Sequence, residues 1–196
     1  MANEFRFEDH PGVMKFKAVA DEAISGLAAQ YGFEFSDEYR TFLKAHNGFN
    51  FDRLNKAVPL APGIETFDGI SYLFGIDTGF EYNDLRTYLA LPGVWDNPFH
   101  AFAYPVAEGA GGDPIIQIFK GKAKGKIYFV DHETVPDAEE LEQDAEASSP
   151  DQALSFLIDV QGCFIEVAKS FSDFINKLVV YDDDGVINVS IRRPLA

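Results

Sequence analysis

Apolar residues spaced three and four positions apart mark the first element of the chain. Phe16, Val19, Ala20, Ala23, Ile24, Leu27, Ala28 and Tyr31 form one continuous stripe and predict an amphipathic helix. Gly32 closes it, at the position where a helix exit needs positive φ. Ser36 then opens a second helix, since its hydroxyl can cap and Asp37 and Glu38 follow where the helix dipole favours acids. Tyr39, Phe42 and Leu43 supply the inner face of that helix, and Asn47-Gly48 stops it. Residues 49–69 hold Pro59, Pro62, Gly63 and Gly69 and read as a loop-rich connection. Residues 70–75 read as a short strand, and 84–89 as a short helix ended by Leu91-Pro92-Gly93. Residues 99–106 read as a strand entering a glycine turn at 109–112.

The middle of the chain is β in pattern. Ile115, Ile116, Ile118 and Phe119 make one arm of a hairpin, residues 127–130 the other, and Gly121-Lys122-Ala123-Lys124-Gly125 the bend. Near-continuous apolar runs in both arms predict central strands covered on both faces, with the tip lysines solvated. The pattern then breaks. Residues 137–151 carry Asp137, Glu139, Glu140, Glu142, Asp144, Glu146 and Asp151 with no apolar anchors, which predicts an exposed helix or a mobile loop. Order returns over 153–160, a strand follows at 164–168, and Ser170 caps a last helix carrying Phe171, Phe174, Ile175 and Leu178. Residues 178–181 and 186–191 flank Asp182-Asp183-Asp184-Gly185 as a C-terminal hairpin.

Composition narrows the picture. A chain of 196 residues, 46% hydrophobic, fits one domain over 1–196. Its core is expected at 16–178, with an acidic insertion at 133–162 and the appended hairpin at 178–191. The net charge of -16, from 32 acids and 16 bases, repels nucleic acid and anionic membranes and attracts basic proteins. Solubility is the other reading of that charge. Cys163 is the single cysteine, set in an apolar run, so it predicts a buried structural thiol and no intramolecular disulfide. The first residues lack a basic region followed by an apolar one, and no stretch reaches about 18 apolar residues; a soluble cytoplasmic protein with no membrane partner is expected.

Few chemical motifs survive inspection. There is no Gly-x-Ser-x-Gly elbow, and the glycines at 109–112 lack the Gly-Lys-Ser/Thr ending of a phosphate loop. His10, His46, His100 and His132 have no metal spacing; Asp131-His132-Glu133 is the best local cluster and reads first as a hydrogen-bonded turn. Asp182-Asp183-Asp184-Gly185 resembles a calcium loop only superficially, because Val180 and Ile191 occupy ligand positions. In so acidic a chain no two carboxylates stand out as an acid–base pair. No catalytic residue, cofactor or metal is expected.

Four short motifs recur in order: Ala45-His46-Asn47-Gly48, Gly109-Ala110-Gly111-Gly112-Asp113, the arm from Gly125-Lys126-Ile127-Tyr128 to Asp131-His132, and Ala168-Lys169-Ser170-Phe171-Ser172-Asp173-Phe174. With Gly32 and Tyr104-Pro105-Val106-Ala107, this set resembles the SUKH superfamily, in the branch of the fungal cell-wall assembly regulator and bacterial toxin-immunity proteins. The resemblance spans roughly residues 16–178. Phe35-Ser36 departs from it where Leu-Pro is usual, as do the segment 133–162 and the C-terminal hairpin. It implies an α+β domain, a mainly antiparallel sheet flanked by helices, with no catalytic residues. It also implies an immunity role, binding a basic toxin domain of nuclease or deaminase type; the alternative is an intracellular scaffold or regulator like the fungal member. Asp137, Glu139, Glu140, Glu142, Asp144 and Glu146 are the candidate partner-binding acids, mimicking phosphates in a basic cleft. Gly32, Asn47, Gly48, Gly111, Gly112, Asp113, Gly125, Ser170, Phe171 and Phe174 are expected to serve structure, with Gly111-Gly112 allowing a tight turn and Asp113 capping neighbouring amides.

Overall fold

A hydroxyl and two left-handed residues set the limits of the first two helices, α1 (Asp21–Tyr31) and α2 (Asp37–His46). Gly32 leaves α1 at φ 71°, Ser36 accepts the Tyr39 N–H at 3.2 Å, and Asn47 leaves α2 at φ 52°. The computed structural model describes residues 13–51, 56–59, 69–91, 101–109, 111–135, 149–160, 162–182 and 185–187. The stripe expected from Phe16 starts its helix five residues later than its spacing suggests. Ala20 is extended (φ -73°, ψ 149°), and Met14–Lys15 is drawn into a strand, β1, so pairing with distant backbone overrides local periodicity.

The sheet continues with β2 (Phe49–Asn50), β3 (Lys56–Pro59), β4 (Ile70–Leu73), β5 (Ala103–Gly109), β6 (Pro114–Ile118), β7 (Ile127–Val130), β8 (Phe164–Ala168), β9 (Leu178–Asp182) and β10 (Gly185–Ile187). Between them lie α3 (Leu85–Ala90), α4 (Pro150–Ser155) running into a π-helical turn at Phe156–Val160, and α5 (Phe171–Lys177). All pairings between these strands are antiparallel, in the order β10-β9-β3-β4-β5-β6-β7-β8, with β2 also on β4 and β1 on β2. The α+β architecture with a mainly antiparallel sheet is therefore as the family resemblance implied. Residues 49–69 are a different matter: they hold β2 and β3, whose few residues are too short to show a period. The last helix also ends at Lys177, and Leu178 begins β9. That strand pairs with β3, from Lys56↔Tyr181 to Pro59↔Leu178, so the C-terminal hairpin extends the sheet itself. In that hairpin Asp182 pairs with Gly185.

One bulge decides which residues share a face. Tyr104 pairs with Gln117 and Ala107 with Ile115, so the extra residue at Val106 keeps Tyr104 and Ala107 on the same side. That side receives the helices. The Tyr104 ring lies 4.8 Å from Phe35 and 5.6 Å from Tyr39, and Phe171 of α5 lies 4.9 Å from Tyr39 and 5.1 Å from Phe42. The next residue, Glu108, then falls on the opposite side with its partner Tyr72. Every residue of β6 is buried, as its apolar run predicts. From the far end of the acidic stretch, α4 and its π turn return to this core and bury Leu154 and Leu157.

Candidate functional site

Asn47 does more than end a helix. Its left-handed backbone aims the carboxamide at the strand exit opposite, where Oδ1 accepts the Ile76 N–H at 2.8 Å. Nδ2 donates to the carbonyls of Ile76 and Lys17, both at 2.9 Å. Three bonds from one buried amide therefore join α2, the segment before α1 and the chain leaving β4. Two glycines permit the approach. A Cβ on Gly75 would stand 2.0 Å from the Asn47 carbonyl oxygen, and one on Gly48 2.6 Å from that of Leu73.

The segment clamped there is a closed loop, residues 76–83. Its mouth is pinched by Gly75, whose N–H donates to Asn83 (2.9 Å) and whose carbonyl accepts from Leu85 (2.8 Å). Inside, Asp84 accepts the N–H groups of Thr78 (2.7 Å), Arg86 (3.0 Å) and Thr87 (3.2 Å), capping α3 and fixing the loop together. Asn83 is fully buried, accepting from Asn50 at 2.6 Å and donating to the Phe49 carbonyl at 3.3 Å. Arg86 pairs with Asp77 at 3.1 Å and reaches Gln30 of α1 at 3.3 Å. Such a short loop with joined ends is an Ω-loop.

This tightly held loop points aromatic rings outward. Tyr82 is 75% exposed and Phe80 48%, with Phe80 leaning on Phe16 at 5.7 Å. Among the described residues only Leu91 joins them as an exposed large hydrophobic side chain. Leaving a tyrosine in water forgoes about 3 kcal/mol of burial, at roughly 25 cal/mol per Å². The hydrogen bonds fix the backbone around these rings, so little ordering entropy is lost when a partner covers them. That geometry suits recognition.

Two polar clusters lie elsewhere. Gln117, buried in the sheet, accepts from the hydroxyls of Ser36 (2.9 Å) and Tyr104 (2.5 Å) and donates to the Gly125 carbonyl (2.8 Å). Tyr104 in turn accepts the Ser36 N–H (2.9 Å). Burial pushes the Tyr104 hydroxyl up to about 12, so it stays a neutral donor in a network that fastens α2 to the sheet. On the other side of the sheet, Glu108 receives the Tyr72 hydroxyl, and His132 donates from Nδ1 to Asp113 at 2.7 Å. Burial raises the Glu108 carboxyl above its usual range, while the Asp113 hydrogen bond raises His132. Among the described residues, no group of three or more His, Cys, Asp or Glu side chains could hold a metal ion.

Gly32, Asn47 and Gly48 shape the helix exits; Gly112 takes φ 89° in the β5–β6 turn; Gly125 turns at φ 93° into β7. Gly111 has an ordinary φ, so the freedom expected of the pair is needed at Gly112 alone. Ser170 accepts the Asp173 N–H at 3.2 Å, and Phe171 and Phe174 are buried. Asp113 departs from expectation. Its carboxylate accepts the His132 N–H and ring, which ties the glycine turn to the end of β7. Asp131-His132-Glu133 is a hydrogen-bonded turn, and Cys163 is a buried thiol raised to about 11 by its burial. Asp137, Glu139, Glu140, Glu142, Asp144 and Glu146 lie outside the described residues. The loop rings were missed in the sequence because Phe80 and Tyr82 follow no period; their only sign was aromatic residues among turn formers, Asp77-Thr78-Gly79.

No helix among the described residues is long and apolar enough to cross a membrane. Nothing among the curated proteins or the solved structures matches this chain. The family model described as SMI1 / KNR4 family (SUKH-1) matches residues 18–177, a span from just before α1 to the end of α5 that leaves β9 and β10 beyond it. With the Asn47-Gly48 exit, the glycine turn and the Ser170 cap all inside that span, the chain belongs to the SMI1 / KNR4 family (SUKH-1).

Proposed function

We propose that this chain is a non-enzymatic protein-binding module that neutralises a cognate polymorphic toxin, of nuclease or deaminase type, through an acidic surface. The observation that carries this reading is the charge of -16 on a member of a family whose resemblance implies toxin immunity. Enzymes that cleave or modify nucleic acid need basic clefts, and an acidic protein is attracted to such a cleft and competes with phosphate there. The rigid loop with its exposed aromatic rings supports a binding role. Asp137, Glu139, Glu140, Glu142, Asp144 and Glu146 add six carboxylates to the acidic surface. In this reading the module acts in the cytoplasm, beside its toxin.

The test is a pull-down from producing cells at low and then high salt, followed by co-expression of whatever toxin domain is retained. A basic domain released by salt, whose lethality the chain suppresses, is the expected result. Charge reversal of the six acids should weaken that complex and flatten its salt dependence. Retention of housekeeping or envelope-synthesis proteins, with no lethal domain among them, would favour a scaffold or regulator like the fungal member.

A further inference from the structure

We propose that the loop 76–83 is the anchor of the binding surface and that Tyr82, with Phe80 beside it, takes an arginine side chain of a basic protein partner. The inference rests on the basic-partner reading above and deepens it. Its starting point is a mismatch between effort and exposure. Asn47, Asn83 and Asp84 bind this loop from three sides, yet the loop leaves Tyr82 75% exposed. A loop that merely joined β4 to α3 would need no ring there. Tyrosine is enriched at interface hot spots because it presents a large, rigid surface with few torsions to freeze.

The charges around the rings decide what fits. Asp77 and Glu81 stand exposed on the loop, but Arg86 pairs with Asp77, and Lys15 and Lys17 flank Phe16. Local charge is thus nearly balanced, while the chain as a whole carries -16. The overall field draws a basic partner in, but beside these rings it cannot sort one cation from another. That task falls to the ring faces. A guanidinium is planar and weakly hydrated, stacks on a tyrosine and can still fork onto the Glu81 carboxylate; an ammonium is a hydrated point charge that stacks poorly. The exposed rings therefore prefer arginine to lysine at equal charge.

Octa-arginine and octa-lysine peptides test this on the full chain, by titration and by following backbone amide shifts. The expected result is that octa-arginine binds about fivefold more tightly than octa-lysine, with the largest shifts over residues 76–84. Tyr82→Ala should erase that preference, bringing octa-arginine down to the lysine affinity, and Phe80→Ala should erase part of it. Because Tyr82 is mostly exposed, Tyr82→Ala should melt with the parent protein, which separates lost contact from lost fold. Equal binding of the two peptides, or an unchanged preference in Tyr82→Ala, overturns the anchor while leaving the basic-partner reading standing. If neither peptide binds at low salt, the basic-partner reading fails and the anchor falls with it.

Discussion

Replacing Asn47 tests the clasp that holds the aromatic loop. Asn47→Ala removes three hydrogen bonds and leaves the Ile76 N–H without its 2.8 Å acceptor in a buried position. An unsatisfied buried donor costs about 1–3 kcal/mol. The alanine must also hold the left-handed backbone now taken by asparagine at φ 52°, ψ 43°, which costs about 1–2 kcal/mol. Together the change should lower the unfolding free energy by about 3–4 kcal/mol, a large part of a domain's stability. Asn47→Gly separates the two causes: it loses the same bonds without the backbone penalty and should cost about 2 kcal/mol. Urea unfolding of the three proteins, with m-values compared, gives these differences. Hydrogen exchange adds the local readout, since the Ile76 amide should lose protection before the amides of β6. If Asn47→Ala lies within about 0.5 kcal/mol of the parent, or glycine proves no better than alanine, the clasp is not what the geometry indicates.

Gly75→Ala should destabilise by about 2–3 kcal/mol without any change of φ requirement, because its Cβ would meet the Asn47 carbonyl oxygen at 2.0 Å; chemical denaturation measures it. Tyr104→Phe should cost about 1–2 kcal/mol by the same assay, since the half-buried Ser36 N–H and the buried Gln117 side chain lose a shared partner. The Asp113 hydrogen bond raises His132 above 6.5, so its stabilisation is complete below about pH 6.5 and disappears as pH rises through the folded value. His132→Asn should therefore melt lower than the parent at pH 5.5 and alongside it at pH 9. Glu108 changes stability in the same direction over a lower pH range: burial raises its carboxyl, so ionisation costs stability as pH climbs above its usual 4.5. Glu108→Gln, which keeps an acceptor for Tyr72, should raise the melting temperature at pH 7 and change it little at pH 4. Thiol labelling of Cys163 should be negligible in the folded protein and should follow unfolding, because the thiol is buried and raised to about 11.

What the sequence by itself determined are the features written in consecutive residues. Ser36 and Ser170 announce their helices because a capping hydroxyl acts on amides three positions on. Gly32 and Asn47 announce the exits, since few other residues take left-handed backbone, and the apolar runs of β6 and β7 announce strands buried in the sheet. Tertiary structure alone decided the rest. The strands β2 and β3 are too short for a period and exist because β4 and β9 offer them partners. The Val106 bulge sends Glu108 to the face opposite Tyr104, an outcome set by register between strands. Asp113 meets His132 across a turn and a strand end instead of its own neighbours. The exposed loop is the clearest case. Asn47 is legible as a helix stop, but its separation of 29 positions from Ile76 is closed only by the folded sheet, and it is that closure which turns Phe80 and Tyr82 outward. Local patterns encode torsions and caps, whereas a surface is made by residues far apart in sequence that only a fold brings together.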